Sequence, residues 1–143
     1  GVRIPFILRW PGQAPANHVN STSVLSGLDW LPTLCALTNT AFEPSQFEGI
    51  NVLDIWKGSD RNPFRPLFWR AGGDAVLQDP WKLHLNRQGP ELYHLGEDPR
   101  ETTNIAEKYP ELTRQLTQTI EGWQNTLPAK VRHKRDSRNQ SQD

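Results

Sequence analysis

Four short apolar segments follow one another in the second half of the chain, at residues 67–70, 75–77, 81–85 and 92–95. Their connections are short and rich in Gly, Pro, Asp and Asn, which is typical of antiparallel neighbours. Within the third segment apolar and polar residues alternate from Trp81 to Asn86, which predicts one apolar and one polar face. The pattern therefore predicts a small four-stranded antiparallel sheet whose apolar face needs a cover.

An amphipathic pattern directly after these segments predicts that cover. Apolar residues recur there at helical spacing, at Leu112, Leu116, Ile120, Trp123 and Leu127. Pro110 suits the first turn of a helix, where no backbone donor is needed, and Pro128 ends the pattern. We therefore expect a helix from about Pro110 to Leu127 that packs on the sheet.

The residues before this region carry more scattered signals. The apolar run Ile4–Leu8 ends at the turn pair Pro11-Gly12 and predicts a buried strand. Asp29 precedes an apolar run and is a suitable cap for a helix. The residues of that helix expected to face inward are Leu31, Leu34, Cys35 and Leu37. Residues 47–56 predict a loop that ends in a short helical turn.

The polar stretch 59–63 is the best candidate for a boundary inside the chain. We expect residues 1–62 and residues 63–128 to form two separate parts. The tail, residues 129–143, is rich in basic residues and has no apolar periodicity, which predicts disorder, with a basic docking segment as the alternative.

Composition and motifs exclude several classes of function. Sixteen basic residues balance sixteen acidic ones, so charge does not indicate nucleic acid as a partner, and no segment has the ~20 apolar residues of a membrane span. The single cysteine, Cys35, cannot form an internal disulfide and is expected to be a buried thiol. The histidines lie in four different segments, at positions 18, 84, 94 and 133, which is not a metal-binding spacing. Asp98 and Glu101 flank Pro99, which favours a turn with capping roles over acid–base catalysis. The residues alone therefore assign no catalytic and no metal site.

Several motifs, taken in order, resemble the carboxy-terminal part of the sulfatase family. They are Gly1–Phe6 with Arg9–Gly12, Leu28–Leu34, Phe47–Val52, Leu67–Arg70, Trp81–Leu83 and Glu91–Asn104. The most specific piece is the Asp98-Pro99 pair with Glu101 and Asn104. The resemblance covers the chain from Gly1 to about Leu127.

This resemblance implies an α/β fold similar to that of alkaline phosphatase. Residues 1–62 would end the large α/β domain, and residues 63–128 would form the small antiparallel sheet packed by the carboxy-terminal helix. The resemblance also implies a sulfuric ester hydrolase that uses calcium and a formylglycine made from a Cys-x-Pro-x-Arg motif. Because that motif is missing here, both are expected upstream of Gly1, and the chain alone is expected to be inactive. Members of the family are found in the periplasm, the lysosome or the extracellular space.

The resemblance implies substrate contacts in the small domain, since that domain lies beside the active-site cleft in the family. His84 is the first candidate, because an imidazole can hydrogen-bond a sugar hydroxyl or a sulfate. Arg70 and Asp74, in the loop between two predicted strands, are candidates for contact with an anionic or hydroxylated group. The alternative for His84 is an exposed or structurally paired histidine, and the alternative for Arg70 and Asp74 is a solvated pair of loop charges. The expected partners are a sulfated carbohydrate or another sulfate ester, and the missing amino-terminal half.

Two other interpretations stay open at this stage. A phosphodiesterase or phosphonate hydrolase of the same superfamily has a similar carboxy-terminal part, and only the upstream motif separates it from a sulfatase. A standalone carbohydrate-binding or interaction module would instead use exposed aromatic rings, for which the chain has six tryptophans.

Overall fold

The computed structural model describes residues 4–128 of the chain. These residues divide into two compact units. The first unit takes in the residues up to Leu67 together with Leu77–Trp81, and the second takes in Phe68–Val76 and the residues from Lys82 onward. The predicted tail, residues 129–143, lies outside the described residues.

A four-stranded antiparallel sheet follows residue 66. Its strands are β1 (Leu67–Arg70), β2 (Asp74–Gln78), β3 (Trp81–Asn86) and β4 (Gly89–His94). They lie side by side in sequence order, each joined to the next by a connection of two or three residues, as the turn-rich spacing predicts. The predicted sheet is therefore confirmed, and β4 begins before the predicted residue because Gly89 and Pro90 also pair.

The amphipathic pattern forms helix α3 (Pro110–Thr126). Leu116 and Ile120 are 1% and 0% exposed, and burial of each side chain contributes about 1.5–3 kcal/mol relative to an exposed position. Near the end of the helix, Trp123 stacks on Phe68 of β1 with ring centroids 4.9 Å apart and planes 6° apart. The predicted helix and its packing on the sheet are both confirmed.

Side-chain hydrogen bonds shape the segment between β4 and α3. The Asp98 carboxylate accepts from the backbone nitrogens of Thr102 and Thr103 at 2.7 and 2.9 Å and from the Thr102 hydroxyl at 3.1 Å. These hydrogen bonds, the one from Thr103 above all, lower the pKa of Asp98. Asn104 then accepts from the backbone nitrogen of Leu92 at 3.0 Å, which ties the segment to β4. The structural role predicted for Asp98 is confirmed.

The first unit contains two helices, α1 (Trp30–Thr38) and α2 (Leu53–Trp56), and two short 3-10 turns at Gly27–Asp29 and Pro44–Gln46. Its core consists of buried Val52, Ile55 and Trp56 with half-buried apolar neighbours, namely Leu8, Leu25, Ile50 and Leu53. Helix α2 is the short helical turn that the sequence predicts, and its buried side chains lie at the centre of this core.

The strand predicted at Ile4–Leu8 is wrong. This segment is irregular, and Ile4 and Ile7 are 79% and 90% exposed. Leu8 packs against the core, and the ring of Phe6 stacks on that of Trp56 with centroids 6.0 Å apart. A strand requires a neighbour that accepts and donates backbone hydrogen bonds, and no other described segment lies beside this one in a sheet.

Helix α1 turns a different face inward from the one predicted. Cys35 is buried as expected, and its buried neighbours are Pro32 and Thr33. The three leucines predicted to face inward, Leu31, Leu34 and Leu37, are 46%, 40% and 39% exposed. The reason is a polar contact that apolar periodicity does not record: the Thr33 hydroxyl accepts from the backbone nitrogen of Val52 at 3.0 Å, in a buried position.

Candidate functional site

Arg70 and Asp74 lie side by side at the connection between β1 and β2. The Arg70 Nε and Nη2 atoms donate to the two carboxylate oxygens of Asp74 at 2.6 and 3.0 Å, a bidentate geometry that raises the pKa of Arg70. The guanidinium also lies 5.4 Å from the ring centroid of Trp123, and Asp74 accepts from Gln124 Nε2 at 2.5 Å. The structure thus brings these two candidates together and fixes both against α3.

His84 lies on β3 and has different partners. Its Nε2 is 3.5 Å from Oε2 of Glu101, and its ring meets the ring of Tyr93 edge-on with centroids 6.5 Å apart. Strand β2 separates β3 from β1, and none of the contacts within residues 4–128 joins His84 to Arg70 or Asp74. The three predicted site residues therefore form two separate groups.

Lys82 and Glu101 complete the group around His84. Lys82 is only 5% exposed, although lysines are seldom buried without a partner, and its Nζ donates to Glu101 Oε1 at 2.6 Å. The alternation along β3 predicts a polar face here, and the ion pair explains why the lysine on that face is buried. We refer to Lys82, His84 and Glu101 as the β3 cluster.

The backbone of Glu101 adopts a conformation that side-chain-bearing residues usually avoid. Its φ is 57°, in the left-handed region, which costs a residue other than glycine about 1–2 kcal/mol. The ion pair with buried Lys82 helps to offset that cost. The sequence missed this contact because it joins residues 19 positions apart, and the turn signals around Pro99 indicate only a capping role.

The surroundings of His84 determine its charge. Burial lowers its pKa most, the positive charge of Lys82 lowers it further, and the carboxylates of Glu101 and Glu91 oppose the shift. The imidazole is therefore neutral near pH 7. Burial and the neighbouring Glu91 raise the pKa of Tyr93, so its hydroxyl stays protonated beside the histidine.

The described residues do not fit the calcium and formylglycine that the resemblance implies. Nowhere in residues 4–128 do three or more His, Cys, Asp or Glu side chains come together in a way that would hold a metal ion. Cys35 is followed by Ala36 and Leu37 and so does not begin a Cys-x-Pro-x-Arg motif. We assign no reaction step through either group to these residues.

No helix within residues 4–128 combines the length and the apolar character that crossing a membrane requires.

Proteins similar in sequence to this chain are sulfatases. The N-acetylgalactosamine-6-O-sulfatase of Bacteroides thetaiotaomicron is 29% identical over an alignment that covers 85% of this chain and 27% of the relative. Arylsulfatase G of Rattus norvegicus is 38% identical over 52% of this chain and 14% of its own length. The chain thus spans less than a third of the length of these curated relatives. No protein-family model matches the chain.

Solved structures match the fold. Ps i-CgsB in complex with k-i-k-neocarrahexaose superposes with a TM-score of 0.70 and 26% identity, over 80% of this chain and 27% of that one. A structure described as a 2-O GAG sulfatase gives a TM-score of 0.53 and 25% identity, over 68% of this chain and 24% of that one. The predicted fold class, the carboxy-terminal part of an alkaline-phosphatase-like α/β fold, is confirmed.

Proposed function

Because this chain belongs to the sulfatase family, we propose that it is the carboxy-terminal part of a sulfuric ester hydrolase. The observation that carries the proposal is the agreement of sequence and fold over most of the chain, with 29% identity across 85% of it and a TM-score of 0.70 across 80% of it. In this proposal residues 1–62 complete the large α/β domain and residues 63–128 form the small domain beside the cleft. The nucleophile and the metal ion come from residues outside this chain.

An exposed apolar surface on the first unit supports the proposal that the chain is part of a larger polypeptide. The large apolar side chains on and before α1 that are 39–90% exposed are Ile4, Phe6, Ile7, Val19, Leu28, Trp30, Leu31, Leu34 and Leu37. Large exposed apolar areas on a soluble protein usually mark surfaces that another segment or a partner covers. In the proposed enzyme the amino-terminal half covers this surface.

The substrate class that we propose is a sulfated carbohydrate. Relatives include an N-acetylgalactosamine-6-O-sulfatase, and a structural neighbour is bound to an oligosaccharide, the k-i-k-neocarrahexaose complex. In the β3 cluster, His84 is the proposed sugar contact, and its side chain is 37% exposed. The second proposed contact is Arg70. Its Nε and Nη2 atoms donate to Asp74, which leaves Nη1 to donate to a substrate oxygen. Asp74 holds the guanidinium in place.

The proposed activity predicts sulfate release by the full natural polypeptide that carries this sequence and none by residues 1–143 alone. Sulfate release would be measured with N-acetylgalactosamine 6-sulfate and with choline sulfate, since a choline-sulfatase of Rhizobium meliloti is also 30% identical over 73% of this chain. A phosphate diester serves as the third substrate. Turnover of the diester with no release of sulfate would contradict the proposal and favour a phosphodiesterase.

Replacement of His84 by alanine is expected to lower kcat/KM for the sulfated sugar about 2- to 10-fold, mainly through KM. This range corresponds to the loss of one hydrogen bond of about 0.5–1.5 kcal/mol. Gln88→Ala is the matched control, because Gln88 is exposed in the connection between β3 and β4. Steady-state kinetics of the full polypeptide measure the effect. If His84→Ala and Arg70→Ala both leave kcat and KM unchanged, neither residue contacts the substrate.

A further inference from the structure

Glu101 is fixed at both its backbone and its side chain. Its backbone has a left-handed φ of 57°. Its carboxylate oxygen Oε1 accepts a hydrogen bond from buried Lys82 at 2.6 Å. The second carboxylate oxygen, Oε2, is thereby left facing Nε2 of His84 at 3.5 Å. Non-glycine residues in this conformation persist where their surroundings hold them, and they are frequent at functional sites. Nε2 of His84 therefore lies close to a carboxylate whose position is fixed by Lys82.

A carboxylate close to one ring nitrogen of a neutral imidazole favours the form with the proton on that nitrogen. Glu101 Oε2 only accepts, so it favours the form of His84 with the proton on Nε2. The other ring nitrogen, Nδ1, then has a lone pair and accepts. In the part of the chain that the structure describes, no hydrogen bond to Nδ1 of His84 is found.

We propose that Glu101 is a positioning residue that keeps the proton of His84 on Nε2, so that Nδ1 accepts a hydrogen bond from a hydroxyl group of the substrate. This inference rests on the proposed contact between His84 and a sulfated carbohydrate. It assigns His84 to the sugar ring and not to the sulfate, because the lone pair of Nδ1 faces a donor favourably and a sulfate oxygen unfavourably.

The charges around His84 agree with this assignment. The groups that face it are Lys82 on its own strand, Glu91 and Tyr93 on β4, and Glu101 from the segment after β4. Burial and Lys82 keep the imidazole neutral near pH 7, against the opposing effect of the two carboxylates. A protonated imidazole, which would donate to a sulfate oxygen from both nitrogens, is therefore disfavoured.

The tautomer of His84 can be read directly by NMR of ¹⁵N-histidine in the full natural polypeptide. We expect the two ring nitrogens of His84 to give the pattern of a proton on Nε2, with the signal identified by its loss in His84→Asn. His94 is an internal control, since its Nδ1 accepts from the backbone nitrogen of Glu97 at 3.2 Å, a hydrogen bond in which Glu101 takes no part. A proton on Nδ1 of His84 would overturn the proposal.

Two variants should change the pKa of His84 in opposite directions. Glu101→Gln removes a negative charge that opposes the shift, so the pKa is expected to fall further. Lys82→Met removes the positive charge and frees Glu101, so the pKa is expected to rise. Both are read in the same NMR titration, in which the tautomer of His94 is expected to stay unchanged. A shift of the same sign in both variants would show that Glu101 and Lys82 do not act on His84 as proposed.

Two small probes separate a sugar contact from a sulfate contact. Unsulfated N-acetylgalactosamine is expected to shift the Nδ1 signal of His84, and inorganic sulfate is expected to leave both that signal and the pKa of His84 unchanged. A sulfate-dependent rise in the pKa, or no response to the sugar, would overturn the proposal. Because these signals do not require turnover, they test the inference separately from the proposed enzymatic activity.

Discussion

Replacement of Asp29 by alanine is expected to lower the free energy of unfolding of the first unit by about 3–5 kcal/mol. Asp29 is 2% exposed, and its two carboxylate oxygens accept from Arg65 Nη2 at 2.5 and 2.6 Å. The same carboxylate accepts from the backbone nitrogens of Ser26 and Ile50 at 2.8 and 3.0 Å. The variant leaves a largely buried guanidinium without its counter-charge and two amide groups without acceptors, and each loss is unfavourable.

Urea denaturation and hydrogen exchange at the Ser26 and Ile50 amides would measure this effect. The matched control is Asp54→Ala in the same unit. Asp54 also accepts two hydrogen bonds from an arginine, Arg61, but their side chains are 48% and 46% exposed, and exposed pairs contribute little. Equal losses of stability in the two variants would show that burial of the Asp29 pair does not matter.

The role of Asp29 illustrates what a local pattern predicts and what it does not. The sequence places a capping residue before the helix, and α1 does begin after Asp29. The carboxylate makes no capping hydrogen bond to α1, however; it closes a capping box with Ser26 around the preceding 3-10 turn. Its main partner, Arg65, lies 36 positions away, and no rule of local spacing indicates that pair.

The same distinction separates the correct from the incorrect predictions of the fold. Alternation in β3 and the repeat along α3 are properties of neighbouring residues, so both elements could be predicted from the sequence. The segment Ile4–Leu8 has the composition of a strand, but a strand also needs a partner, and composition does not supply one. In α1 the apolar residues predict the leucines as the inner face, whereas a hydrogen bond from Val52 to Thr33 selects another face.

For the candidate site, the sequence proposes single residues but not the groups to which they belong. His84 is proposed from the resemblance to sulfatases and the chemistry of its imidazole, whereas Lys82 and Glu101, which affect its charge, are not proposed as its partners. Burial of a lysine depends on a partner that reaches it, and here that partner is brought near by the left-handed backbone of Glu101. Positive φ at a glutamate has no compositional signal, since glycine or asparagine is the usual choice.

Replacement of Gly49 by alanine is expected to destabilise the first unit by about 3 kcal/mol or more, at the upper end of what overpacking costs. A Cβ atom at this position would lie 1.9 Å from the carbonyl oxygen and 2.4 Å from the carbonyl carbon of Leu28. Both atoms belong to the backbone, so no side-chain rotation relieves the clash. Urea denaturation measures the loss, and wild-type stability would show that the loop can move away without cost.

Gly27→Ala is the matched control for this variant, and it should change stability in the opposite direction. No atom lies within 4 Å of a Cβ at Gly27, so alanine there is expected to stabilise the unit by about 0.4–1 kcal/mol by restricting the unfolded chain.

The clash at Gly49 acts on the same contact as Asp29, because the next residue, Ile50, donates to the Asp29 carboxylate at 3.0 Å. We therefore expect the double variant Asp29→Ala/Gly49→Ala to lose less free energy of unfolding than the sum of the losses in the two single variants. Strict additivity would mean that the close approach at Gly49 and the buried carboxylate stabilise the unit independently.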